Sequence, residues 1–101
     1  MRSVDLALYA DALAGEAAAL QARAERSRAR LRQAAIERRA RADLPAETVS
    51  RLERLGVLAR FEESGVREDL EELAESIAAL RELQAWVETK LAAAADGFPR
   101  R

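Results

Sequence analysis

The sequence predicts an all-α protein built as an antiparallel helical hairpin, in which two long helices are joined by a short one. Ala, Glu, Lys, Leu and Arg supply 68 of the 101 residues, well above the share of about half that is typical of long helices and coiled coils. The chain has only two prolines to break a helix. Its apolar residues recur at alternating spacings of four and three, which is the heptad pattern of helices that pack side by side.

The predicted helix boundaries follow from capping residues and helix breakers. Ser3 is a suitable N-cap, and no proline occurs before Pro45, so the first helix can be long. Pro45 ends that helix and can open a second, which Gly56 can cap. Gly97 and Pro99 end the last helix. The predicted elements, within a single domain of residues 1–101, are helices over 4–42, 45–55 and 64–95 and a loose tail over 96–101.

Each long helix carries one sustained apolar seam. Two matching seams joined by a short helix favour a chain that folds back on itself. Gln84 is the one polar residue in the last seam, and a polar side chain there typically sets the register or the oligomeric state. The seam residues are Leu6, Ala10, Leu13, Ala17, Leu20, Ala24, Ser27, Leu31 and Ala34 on the first helix, and Val66, Leu70, Leu73, Ile77, Leu80, Gln84, Val87, Leu91 and Ala94 on the last.

The net charge of −1 conceals two blocks of opposite sign. Residues 23–41 contain eight Arg and two Glu, a net charge of +6, and residues 62–75 contain seven acidic residues and one Arg, a net charge of −6. An antiparallel hairpin would set these blocks against each other. Each exposed ion pair contributes only about 0.2–1 kcal/mol, so their main expected effect is to specify orientation and register.

A second stripe of mostly small apolar residues runs along the first helix, nearly opposite its seam. It depends mainly on Leu8, Gly15 and Ile36. A helix that is apolar on two opposite faces is expected to lie between two neighbours. On the last helix, Leu83 and Trp86 also lie outside the seam.

These five residues, Leu8, Gly15, Ile36, Leu83 and Trp86, form the candidate interface, and they predict a homodimeric four-helix bundle or coiled-coil assembly. Burying Leu83 and Trp86 between protomers would contribute roughly 5–8 kcal/mol before association costs. Alternatively, Trp86 packs within its own chain, against Tyr9 or the short helix.

The composition also excludes several kinds of chemistry. With no His and no Cys, the chain lacks the usual metal ligands, the usual general base and the thiol nucleophile. We therefore expect no catalytic residue, no metal and no cofactor. No apolar stretch reaches the roughly 18 residues of a membrane span, and no secretory signal is evident, so a cytoplasmic protein without membrane contact is expected.

The Arg-rich segment 23–41 leaves nucleic-acid binding open as an alternative, with Arg23, Arg26 and Arg30 as candidate anion-binding residues. The run from Glu47 to Leu58, with Glu53-Arg54-Leu55-Gly56-Val57-Leu58 at its end, resembles the second helix of MerR-type regulators. That resemblance implies a regulatory DNA-binding role.

The long-short-long order of helices resembles that of the small all-helical chorismate mutases, which implies an enzyme that binds a dianionic substrate through Arg side chains. The Lys expected in the middle of such a chain is missing here.

The sequence as a whole favours a non-catalytic helical interaction or structural module. Such a module either self-associates or docks a helical protein partner.

Overall fold

The computed structural model describes residues 2–59 and 62–96, and within them the chain is all-α, with three helices and no strand. The helices are α1 (Ser3–Asp43), α2 (Ala46–Arg54) and α3 (Glu63–Asp96). The all-α prediction is confirmed, and each predicted helix boundary lies within one residue of the observed one. Beyond Asp96, the predicted tail lies outside the described residues.

The length of α1 follows from its Ala-rich sequence and from charges that suit its ends. At its start the amide of Leu6 donates to the carbonyl of Arg2 at 3.1 Å. Asp5 lies in the first turn and Arg41 in the last, where each opposes the partial charge of the helix dipole. The amide of Leu44 completes the final turn, and Pro45 then disfavours a further helical residue.

The short helix α2 begins after Pro45, whose φ of −59° and ψ of 146° lead into the first turn. It ends in a turn with Gly56 at φ 76°, a conformation that glycine adopts without the steric penalty of a side chain. There the amide of Gly56 donates to the carbonyl of Glu53 at 3.1 Å, and that of Val57 to Leu52 at 3.0 Å. These bonds satisfy the last carbonyls of α2.

Packing divides the chain into two compact units, and α1 and α3 each contribute to both. Among the described residues, the terminal unit contains 2–24 and 72–96, and the middle unit contains 25–59 and 62–71. Each unit has its own buried residues.

The terminal unit has an apolar core. Leu6 and Leu13 of α1 and Val87 of α3 are buried together. Val87 is the most enclosed large side chain among the described residues, at 1% exposed. Partly buried apolar residues complete this cluster, namely Ala10, Leu80, Leu83 and Leu91.

The middle unit combines apolar and charged buried residues. Ala34, Leu58 and Val66 are buried, and so is the carboxylate-bearing Glu37. Leu58 follows the glycine turn, so the connector after α2 contributes to the interior of this unit.

The two predicted seams match the burial pattern of the helices. Each seam residue on α1 and on α3 is buried or half-buried, whereas most residues between them are exposed. The predicted heptad seams are therefore confirmed as the sides of α1 and α3 that are least exposed to solvent.

Candidate association surfaces

An uncovered apolar surface of the terminal unit lies on α1, on the side opposite its seam. At 100° per residue, the positions around Leu8 lie roughly opposite Leu6, Ala17 and Leu13. We call this surface the outer α1 face, and it consists of Val4, Leu8, Ala12, Gly15, Ala19 and Ala22. All six residues are exposed, including Val4 at 59% and Leu8 at 63%.

The outer α1 face is bordered by charged side chains and contains none. Asp5, Asp11, Glu16 and Arg23 lie to either side of it by helix geometry, and all four are exposed. An apolar centre with a charged rim is the usual composition of a protein-binding surface. Leu8 and Gly15 are thus placed together, as the sequence predicted, and Val4 extends the same face towards the start of the helix.

Ile36 lies on the part of α1 that belongs to the middle unit. It is 70% exposed and lines a shallow groove with Ala35, Ala40, Arg39 and Asp43. Arg39 Nε lies 3.7 Å from Asp43 Oδ2 beside this groove. Ile36 therefore forms a second, smaller apolar surface with an ion pair at its edge.

The two candidate residues on α3 have different surroundings. Leu83 packs against the terminal core and is partly buried, so it is largely used within the chain. Trp86 remains 45% exposed, and Lys90 Nζ lies 5.8 Å from its ring centroid, a distance at which a cation and a ring attract. Trp86 therefore has a partner one helical turn along α3 and still presents apolar surface.

Gln84 is half-buried in the seam of α3. Across the described residues its amide has no hydrogen-bond partner within the chain. A half-buried amide that has no partner within its own chain forms hydrogen bonds to water or to a group outside the chain. Its register-setting role stays a prediction.

The Arg-rich segment is partly neutralised by nearby acids. Glu25 accepts hydrogen bonds from Arg32 at 3.2 Å and from Arg28 at 3.4 Å. The hydrogen bond and charge of Arg32, followed by those of Arg28, hold the pKa of the Glu25 carboxyl below its ordinary value. All three candidate anion-binding residues are exposed, namely Arg23, Arg26 and Arg30.

The two charge blocks meet in the middle unit at one ion pair, between Arg38 Nη1 and Glu63 Oε2 at 3.2 Å. Arg67 also approaches Glu63, at 3.5 Å. The other six acids of the block are exposed and form no ion pair among residues 2–59 and 62–96. They are Glu62, Glu68, Asp69, Glu71, Glu72 and Glu75.

Sequence reasoning did not single out two polar residues of the middle unit, the buried Glu37 and the half-buried Arg41. Glu37 is 6% exposed. Its Oε1 accepts a hydrogen bond from Gln33 at 3.2 Å, and its Oε2 is buried with no partner. Arg41 donates to the carbonyl of Ala59 at 3.2 Å, and its Nε lies 3.7 Å from Glu53 Oε1. The seam spacing did not point to Glu37, because the next step after Ala34 in the alternating pattern is four and reaches Arg38.

The described part of the chain contains neither a metal-binding cluster nor a membrane-spanning helix. No group of three or more acidic residues there is arranged to hold a metal ion. None of its helices combines the length and the apolar character that crossing a membrane requires.

Comparison of the chain with protein-family models, with curated proteins and with solved structures gives no significant match. Any functional proposal therefore depends on the surfaces described above.

Proposed function

We propose that this chain is a non-catalytic helical interaction module that folds as an antiparallel hairpin and self-associates into a dimer. The observation that supports it best is the outer α1 face. Helices of a monomeric domain usually expose polar residues on the side away from their core. Here that side of α1 exposes apolar residues along about five turns instead.

The hairpin part of the proposal draws on contacts inside each unit. In the terminal unit, the start of α1 contributes Leu6 to a cluster that includes Leu91, near the end of α3. In the middle unit, Arg38 near the end of α1 contacts Glu63 at the start of α3. Both pairings join an early residue of one helix to a late residue of the other, which is what antiparallel helices do.

Self-association is tested by melting the chain at several concentrations while following helix content by circular dichroism. A dimer that is more stable than its monomers melts at a midpoint that rises with concentration. Light scattering at micromolar concentration gives the mass directly. A cooperative melt with a constant midpoint and a monomer mass would refute self-association. A poorly helical isolated chain would indicate a different helical protein as the partner.

Nucleic-acid binding remains the alternative, because Arg23 and Arg26 are exposed and have no acidic partner within the described ranges. Other Arg side chains of the segment are engaged by acids, at Arg28, Arg32, Arg38, Arg39 and Arg41. Titration with duplex DNA at two salt concentrations decides between the functions. Binding that weakens steeply with salt would support the alternative, and no binding at a salt concentration of about 50 mM would remove it.

A further inference from the structure

We infer that the outer α1 face binds the same face of a second copy of this chain, with the two α1 helices antiparallel and crossing at Gly15. This inference rests on the self-association proposed above and specifies its geometry. Three independent features of α1 support it: the glycine at the centre of the face, the distribution of large and small side chains along it, and the charges at its two ends.

Gly15 has no role that the chain itself explains. It lies inside a 41-residue helix, where glycine is less favourable than alanine by about 1 kcal/mol. A Cβ added at this position would have no neighbour within 4 Å, so packing within the chain does not exclude a side chain. Glycine at a helix surface allows another backbone to approach closely. A second helix crossing at Gly15 accounts for it.

Large and small residues occupy opposite ends of the face. Val4 and Leu8 lie on one side of Gly15, and Ala19 and Ala22 lie on the other. In an antiparallel pair centred on Gly15, Leu8 of each copy faces Ala22 of the other, so a large side chain meets a small one at both of these contacts. A parallel pair would set Leu8 against Leu8 and leave a gap between the alanines, which loses packing contacts.

The charges at the ends select the same direction. Asp5 and Arg23 are exposed on the same edge of the face and have no ion-pair partner among the residues that the structure describes. They are separated by about 27 Å along the helix, at 1.5 Å per residue. An antiparallel second copy brings its Arg23 close to Asp5, and its Asp5 close to Arg23. The midpoint of the two residues is Ala14, one residue from the crossing at Gly15. In a parallel copy the opposite edges of the two faces meet, so Asp5 and Arg23 would not face each other.

The contact surface limits the affinity of such a pair. A single helix face of this length is smaller than the roughly 800 Å² per partner of a standard interface. We therefore expect a reversible dimer at micromolar concentration, which is sensitive to single substitutions.

A charge exchange tests the direction. Asp5→Arg alone and Arg23→Glu alone each place like charges at both ends of the dimer, and each is expected to weaken self-association about tenfold or more. An equimolar mixture of the two variants restores opposite charges at both ends, so it should form a heterodimer about as tight as the original dimer. Sedimentation equilibrium measures all four samples.

A packing variant tests the crossing point. Gly15→Leu fits the isolated chain but separates the two helices, so it should abolish the dimer while helix content stays the same. Ala14→Leu adds the same side chain at an exposed position off the face and should leave the dimer intact.

The outcomes separate this inference from the proposed function. If the unmodified chain dimerises but the mixture shows no recovery, or if Gly15→Leu dimerises as well as Ala14→Leu, the antiparallel α1 contact is wrong and self-association stands. If the unmodified chain remains monomeric at every concentration, the proposed self-association and this inference both fail.

Discussion

The terminal and middle units are held together in different ways, although the same two helices supply both. The terminal unit buries only apolar side chains around Leu13 and Val87, and its described charged residues form no ion pair. The middle unit buries a carboxylate at Glu37 and contains the ion pairs that the described residues form. The middle unit thus combines apolar burial with ion pairs between its helices, whereas the buried side chains of the terminal unit are all apolar.

This contrast also separates the surfaces. In the terminal unit the outer α1 face is uninterrupted by charge, because acids and Arg23 lie only on its rim. In the middle unit, Ile36 is the one large apolar residue of the corresponding stripe and has the Arg39 and Asp43 pair beside it. The terminal unit is therefore the part of the chain that is better suited to bind another helix.

The largest expected effect is in the core of the terminal unit. Leu13→Ala removes a buried side chain that its neighbours cannot fully replace, so it should lower the free energy of unfolding by about 2–5 kcal/mol. Urea denaturation followed by circular dichroism measures this. The matched variant Leu8→Ala removes the same atoms from an exposed position, and in dilute protein it should change stability by no more than about 0.5 kcal/mol. Equal losses in the two variants would contradict the assignment of core and outer face.

The next largest effect is an increase in the free energy of unfolding, and it concerns the middle unit. Burial of Glu37 with one oxygen unpartnered costs free energy. Glu37→Met keeps the length of the side chain and removes the charge, so it should raise the free energy of unfolding by about 1–2 kcal/mol. The control is Glu25→Met, which removes an exposed carboxylate and is expected to have a small effect. A destabilised Glu37→Met would show that the carboxylate has a stabilising partner.

Alanine at two glycines should act in opposite directions. Gly56→Ala forces a side chain into the left-handed region at φ 76° and should destabilise the chain by about 1 kcal/mol. Gly15→Ala, measured in dilute protein, removes the helix penalty of glycine and should stabilise it by a similar amount, about 0.5–1 kcal/mol. Thermal melts of both variants check this. A loss of monomer stability in Gly15→Ala would mean that packing within the chain requires the glycine.

The smallest effect concerns Glu25, whose side chain is exposed. Because its pKa is lowered in the folded chain, its contribution to stability is present above the ordinary pKa of a glutamate and is lost as the pH falls through the lowered value. Arg32 is the larger cause, so Arg32→Met should raise the pKa of Glu25 more than Arg28→Met does. NMR titration of the Glu25 carboxyl measures both shifts, and the reverse order would contradict the geometry.

The seams were predictable because a heptad pattern depends only on spacing and on which side chains avoid water. The helix boundaries were predictable for a similar reason, since Pro45 and Gly56 act through local backbone geometry. These features need no knowledge of distant contacts.

Glu37 could not be predicted in the same way. A charged residue within an Arg-rich block is ordinarily solvated, and its burial depends on how the middle unit packs around it. Of the candidate interface, Leu8 and Gly15 followed from helix geometry, whereas the partial burial of Leu83 depends on the core of the terminal unit. The exposure of Val4, beyond the start of the recognised stripe, also required the structure.

The contact between two outer α1 faces can be tested most directly with introduced thiols, because the chain has no Cys. In an antiparallel crossing at Gly15, two copies of Gly15→Cys bring their thiols together and should form a disulfide-linked dimer under mild oxidation. Leu8→Cys alone should not cross-link, but mixed with Ala22→Cys it should give the heterodimer on a non-reducing gel. Rapid cross-linking of Leu8→Cys with itself, or none at Gly15→Cys, would contradict the account.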